Sequence, residues 1–134
     1  MKLVVDANVL FSALIKDSFT RKLFFDERLE IYAPEYLFEE FEEHREEIMQ
    51  KTHRGESEFW EVMDILKSRI SVVPVSEFEK FMEKAKKVSP DKDDAIYFAA
   101  ALAIGGAIWS NDRRLKGQKA VLILNTAEIA AGAD

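Results

Sequence analysis

Acidic residues occupy the positions in this chain where chemistry could be done. Asp6 follows the apolar run "LVV", Asp112 comes just after "AIWS", and Asp94 opens the apolar stretch "DAIYFAAALAI". A further acid stands among Glu35, Glu39 and Glu40, next to the short segment "EIYA". Several carboxylates converging on one half-buried site repel one another, and they stay ionised only with a cation among them. Oxygen-only donors and the absence of cysteine favour a hard ion, Mg2+ or Mn2+. Such a site with open positions suits phosphoryl transfer: it helps ionise a water and stabilises charge growing on the phosphate and the departing oxygen. The two histidines, His44 and His53, have no evident metal partner and read as surface or stripe-edge residues.

Each acid also has a plainer role open to it. Asp6 can cap a following helix, and Asn8 can do the same or hold Asp6 by a side-chain hydrogen bond. Asp91, Asp93 and Asp94 can complement a helix dipole. Glu40 can be a solvated helix residue, and Asp112 with Arg113 and Arg114 an ordinary turn with a surface ion pair. Joint placement at strand ends is what raises the chemical reading.

That placement depends on the elements. Residues 2–5 predict a strand, and 8–17 a helix with Val9, Leu10, Ala13 and Leu14 at helical spacing. A short helical turn over "TRKLFFDE" leads to the strand "EIYA". Pro34 is expected at the first position of one long helix running to His53, which Gly55 ends. The helix "SEFWEVMDILKSR" and the strand "ISVVPV" follow. Ser76, with Glu79 three residues on, predicts a capping box for the next helix. After "SPDKDD" come the apolar helix, the strand "AIWS", the strand "KAVLIL", and a final helix capped by Asn125. Strands separated by helices, with continuous apolar runs, predict an α/β fold. Its expected form is a three-layer α/β/α sandwich on a mostly parallel sheet of about five strands. No linker or repeat interrupts it, so residues 1–134 are expected to form one domain. Active sites in such sheets form beyond the carboxyl ends of the strands, where Asp6 and Asp112 fall.

Helical phase narrows the rest. Each residue turns about 100°. Leu37, Phe41 and Ile48 define a buried stripe that leaves Glu40 on its flank and Glu39 pointing away. Asp94 shares a face with Phe98 and Ala101, and Asp93 is turned about 100° from it.

Composition sets outer limits. The net charge of -6 argues against a protein that coats nucleic acid by bulk electrostatics. It leaves room for a local basic patch, with Arg21, Lys22, Arg113, Arg114 and Lys116 as candidates. No stretch reaches the roughly 18–20 apolar residues of a membrane span, and no signal-peptide layout opens the chain. A cytoplasmic location with no membrane contact is the expectation.

Three blocks carry a resemblance. "LVVDANVLFSAL", "PEYLFEEFEEH" and "SPDKDDAIYFAAALAIGGAIWSNDRRL" resemble, in order and spacing, the PIN-domain family, which includes VapC-like ribonuclease toxins and related RNA-processing nucleases. The resemblance implies an acidic quartet at Asp6, Glu40, Asp94 and Asp112, supported by Asn8 and Ser110, with Asp91 crowding the third acid. It implies a Mg2+- or Mn2+-dependent endoribonuclease, an RNA substrate, a homodimer, and for a toxin an antitoxin partner. A catalytically silent RNA- or protein-binding module is the rival reading. A haloacid-dehalogenase-type phosphatase needs an acid at position 8, where Asn8 stands. A dinucleotide-binding domain needs a glycine-rich turn after the first strand, and none is present.

Overall fold

Leu3, Val4 and Val5 are fully buried because the strand that holds them is covered on both faces. That strand, β1 (Lys2–Val5), lies at the middle of a five-stranded sheet in a computed structural model. The structure describes residues 1–15, 18–52 and 55–132. The other strands are β2 (Glu30–Pro34), β3 (Ile70–Val73), β4 (Ala107–Trp109) and β5 (Ile123–Leu124). Their order is β3-β2-β1-β4-β5 and every pairing is parallel. The expected α/β/α sandwich is therefore the observed fold.

Alternation along each strand divides the core in two. Leu3, Val5, Ile31 and Trp109 face one layer, made of α1 (Ala7–Ile15), α2 (Ser18–Leu23), α3 (Tyr36–Glu43), α4 (Arg45–Thr52), α5 (Glu56–Lys67) and α9 (Thr126–Gly132). Val4, Val73, Ile108 and Ile123 face the other, made of α6 (Val75–Phe78), α7 (Met82–Val88) and α8 (Ala95–Ile104). α8 is apolar except for the Tyr97 hydroxyl, and its buried alanines let it lie close on the sheet. Among the described residues no helix is long and apolar enough to cross a membrane.

Four local expectations need correction. Pro34 closes β2 rather than opening a helix. Pairing of β1 with β2 stops at Val4 and Tyr32, while Glu35 N–H still donates to the Val73 carbonyl. Successive N–H groups point to opposite sides, so the one Pro34 lacks would face the side where the ladder has ended. The long helix is two helices, broken at His44 (φ -102°, ψ 15°). The break lets Phe41 and Ile48 both reach the core while α4 turns against α1. Ser76 lies inside α6, whose entry is set by Pro74 in extended conformation with no side-chain cap. The strand "KAVLIL" shrinks to Ile123–Leu124. Ahead of it, the Gln118 amide group donates to the Leu115 and Val121 carbonyls and accepts from Val121 N–H, holding that backbone in a loop. His53 lies outside the described residues.

Asn125 does cap α9: its side chain accepts from Glu128 N–H at 2.8 Å, and Glu128 accepts from Asn125 N–H at 3.0 Å. α8 ends on Gly105 (φ 69°), and Gly106 N–H donates to the Ala101 carbonyl. A Cβ on Gly106 would sit 2.7 Å from the Lys2 carbonyl oxygen. This glycine therefore lets β4 close on β1. Gly106→Ala is expected to destabilise the fold by about 1–3 kcal/mol from overpacking against backbone. The unfolded-state gain of about 0.4–1 kcal/mol works the other way and is smaller. Urea denaturation of the two proteins measures the difference.

Candidate active site

The sheet order makes β1 and β4 the pair at which successive strands switch direction, where a crevice forms beyond the carboxyl ends. Val5 pairs with Trp109, so Asp6 and Ser110 leave the sheet side by side. Asp6 N–H donates to the Trp109 carbonyl at 3.3 Å, one step past the strand. Trp109 is itself anchored: its indole N–H donates to Thr126 Oγ1 at 3.0 Å, and its ring packs 5.0 Å from that of Phe24.

Asp6 is buried, with 5% of its surface exposed. Oδ1 accepts the Val9 N–H at 2.9 Å and caps α1. The Ser110 hydroxyl and the Asn8 main chain lie beside this carboxylate and favour its charged form. Asn8 acts on Asp6 through its main chain, and its side chain is exposed. Burial pushes the Asp6 carboxyl above its ordinary range and the Asp112 charge adds to this, against the hydrogen bonds. Ser110, fully buried, also accepts the Asp112 N–H at 3.1 Å, so one hydroxyl ties the two acids together.

Asp112 has a different environment. Its carboxylate caps the turn Arg113–Lys116 by accepting Arg114 N–H at 3.0 Å. The Arg114 guanidinium grips both oxygens, Nη2 at 2.7 Å and Nε at 3.1 and 3.3 Å. Those bonds hold the Asp112 carboxyl below its ordinary value. Asp94 is half-buried at the entry to α8. Burial raises its carboxyl first, then the charges of Asp91, Asp6 and Asp112, while Arg114 opposes them. Asp91 caps its own turn, accepting Asp93 N–H at 3.0 Å, and Asp93 is exposed. Glu40 and Glu39 are both exposed on α3; Glu40 alone of the two lines a cavity with Ala7 and Asn8.

Tyr97 is the residue that the sequence pattern hides. Its phenol oxygen accepts the Ala7 N–H at 3.2 Å, joining α8 to the start of α1. Burial, then the charges of Asp6 and Glu40, and less strongly that of Asp94, disfavour its ionisation, so it remains a proton donor among three of the candidate acids. The available signal was a hydroxyl three residues after Asp94 in an otherwise wholly apolar helix.

The structure brings Asp6, Asp94 and Asp112 into one electrostatic neighbourhood, with Glu40 across Tyr97. Among the described residues no three carboxylates or imidazoles are close enough to form a ready-made metal cage. The donor set still fits magnesium in kind. That ion keeps several waters and is held by one or two carboxylates plus substrate phosphates rather than by an all-protein cage. Of the candidate cations, Arg113 and Lys116 line a shallow cavity with Ser110 and Asp112. Arg21 Nε is committed to the Ala13 carbonyl at 2.8 Å, and Lys22 is exposed.

A family model for the PIN domain matches residues 4–130. The chain belongs to the PIN-domain family. This is a family of nucleases, as the three sequence blocks implied. A search of curated proteins gives no match. Among solved structures, the PIN fold of this chain is similar to VapBC2 from Rickettsia felis, whose crystal structure holds a DNA fragment from the promoter. The TM-score is 0.65 at 16% identity, over 93% of this chain and 98% of that one.

A raised Asp6 carboxyl has a consequence for stability. The folded state favours its neutral form, so this contribution is fully present below the ordinary carboxylate range and is lost as pH rises through the raised value. Asp6→Asn keeps an acceptor for Val9 N–H and removes the charge. In EDTA the variant is expected to melt above the wild type at neutral pH, with the gap closing in acid. Added Mn2+ should raise the wild-type midpoint and leave the variant's in place. Thermal melts across pH, with and without Mn2+, check all three outcomes.

Proposed function

We propose that this PIN domain is a Mg2+- or Mn2+-dependent endoribonuclease. Asp6, Asp94 and Asp112 would hold the ion, with Glu40 as a ligand or as the base that orients a water. The observation that carries this reading is that three separate segments bring acids to one sheet edge, where Asp94 feels the charges of Asp6 and Asp112 and Asp6 feels that of Asp112. A cation is what relieves such repulsion. When bound, it would supply charge stabilisation at the phosphate and acidify water.

The chain's own residues do the rest. Ser110 and the α1 cap fix the Asp6 carboxylate before substrate arrives, so no reorganisation is needed at the moment of reaction. Hydrolysis forms a bond from a water oxygen to phosphorus and breaks one phosphorus–ribose oxygen bond, and the departing oxygen takes a proton from solvent. Glu40, exposed beside Tyr97, takes the water's proton. Arg113 meets a flanking phosphate, while the Lys116 ammonium beside it is already paired with Glu128; such local positive charge offsets the net negative charge of the chain. A toxin role with an antitoxin partner, in a cytoplasmic homodimer, extends the reading. The fold likeness to VapBC2 supports the partner. Within the segment "FSALIKDSFTRKLFF", Ala13, Leu14, Leu23 and Phe24 belong to the core, while Phe19 and Phe25 are exposed and stand as dimer or docking candidates.

One observation favours the silent-module rival: Asp112 is partnered by Arg114 rather than by further ligand acids. Incubation with a mixed RNA pool separates the two. Wild type is expected to cut in Mn2+ and not in EDTA, and Asp94→Asn to lose about a hundredfold or more, the scale of deleting one electrostatic element of a reaction site. Equal cutting in EDTA, or by Asp94→Asn, overturns the metal-site assignment. Metal binding without cleavage of any RNA in the pool establishes the module.

A further inference from the structure

The break at His44 leaves a cavity of about 240 Å3 between the start of α1 and the α3–α4 junction. Its wall continues directly from Asp6 through Ala7 and Asn8, and Glu40 borders it from the other side. Phe41 and Ile48 are buried at its base, and Phe11, half-buried, stands on its flank with the Lys51 ammonium 5.5 Å from the ring centroid. The polar rim is Asn8, Glu40, His44 and Glu47.

We infer that this cavity is a nucleobase subsite, taking one unstacked base of single-stranded RNA, with guanine preferred. The inference rests on the nuclease reading for its substrate and adds the base that the site selects. The volume admits one base and excludes a duplex. Aromatic and aliphatic walls suit the flat apolar face of a base, and stacking of this kind is the common anchor for single strands. Two carboxylates on the rim repel a phosphate, so the base and not the backbone enters. An ionised carboxylate only accepts hydrogen bonds. Guanine is the base that presents two adjacent N–H donors on its pairing edge, which one carboxylate accepts together. Adenine, cytosine and uracil each set an acceptor beside their donor and leave that acceptor facing the carboxylate. Glu40 is assigned to the reaction, so Glu47, in the first turn of α4, is the selecting group. Lys51, on the same helix beside Phe11, is placed for the phosphate of the bound nucleotide.

The test is equilibrium binding in EDTA, read by fluorescence anisotropy, with short labelled oligouridines whose central base is guanine, adenine, cytosine or uracil. Wild type is expected to hold the guanine oligomer about tenfold tighter than the others, the discrimination of one good two-point contact. Glu47→Gln should erase that margin and leave the all-uracil affinity in place. Phe11→Leu, which conserves bulk and removes the ring, should weaken all four. Equal wild-type affinities, or a margin that survives both substitutions, overturns the subsite. Should Phe11→Leu fold poorly, the exposed Glu47→Gln decides alone. The same oligomers in Mn2+ separate the two readings. A protein that cuts them yet shows no guanine margin loses the subsite and keeps the nuclease activity. One with the margin but no cleavage keeps the subsite and loses the activity.

Discussion

The parallel pairing of Val5 with Trp109 is the constraint on which the rest depends. It sets two chain ends leaving the sheet in the same direction at the point where the strand order reverses. Asp6 N–H extends the ladder to the Trp109 carbonyl, and Ser110 N–H extends the next one to Leu124. The acids therefore inherit their positions from main-chain hydrogen bonds, which are harder to displace than side-chain rotamers. Features far from the acids serve this pairing. Gly106 admits the close approach of β4, Thr126 holds the Trp109 indole, and Phe24 packs on its ring.

Electrostatics then runs against stability at this edge. Burial alone disfavours an ionised Asp6, and a second carboxylate nearby makes it worse. The Val9 N–H, with the Ser110 hydroxyl and the Asn8 main chain beside it, offsets part of that cost. Asp112 is compensated by Arg114, whereas Asp94 meets three like charges and only a weaker pull from the same arginine. A domain selected for stability alone would place amides or apolar groups here. An edge that keeps ionisable acids in mutual repulsion is one of the physical signatures of a functional site, since structural ion pairs arrange opposite charges instead.

Much of this was legible in the residues. "LVV" followed by an acid identifies a doubly covered strand with a carboxylate at its end, because both features depend only on local pattern. The apolar helix after Asp94 and the Asn125 cap are legible for the same reason. What failed depended on tertiary partners. No glycine or proline announces the break at His44; it follows from packing α4 on α1. Pro34 fits a helix start equally well until one knows where β1 stops pairing. "KAVLIL" has strand composition, yet Gln118 satisfies the backbone ahead of it with a side chain. Tyr97 was missed because its ring fits the buried stripe of α8, which draws the eye from its hydroxyl. Helical phase, by contrast, separates Asp94 from Asp93 in the same sense as their burial.

The choice between helix cap and ligand for Asp6 dissolves on the same grounds. An ionised carboxylate has about four acceptor positions. The Val9 N–H takes one of them at 2.9 Å, and the Ser110 hydroxyl and the Asn8 main chain stabilise the same carboxylate. The directions that remain are held in place because the carboxylate is tied to the backbone of α1. A residue that caps a helix is for that reason a better-aimed ligand than a free one, since its rotamer entropy is already lost. It is also a sparing one. With Asp6 tied to the start of α1 and Asp112 gripped by Arg114, the protein offers few free oxygens at once. A cation at this edge would keep water or substrate phosphate in most of its positions, which is the habit of magnesium rather than of calcium.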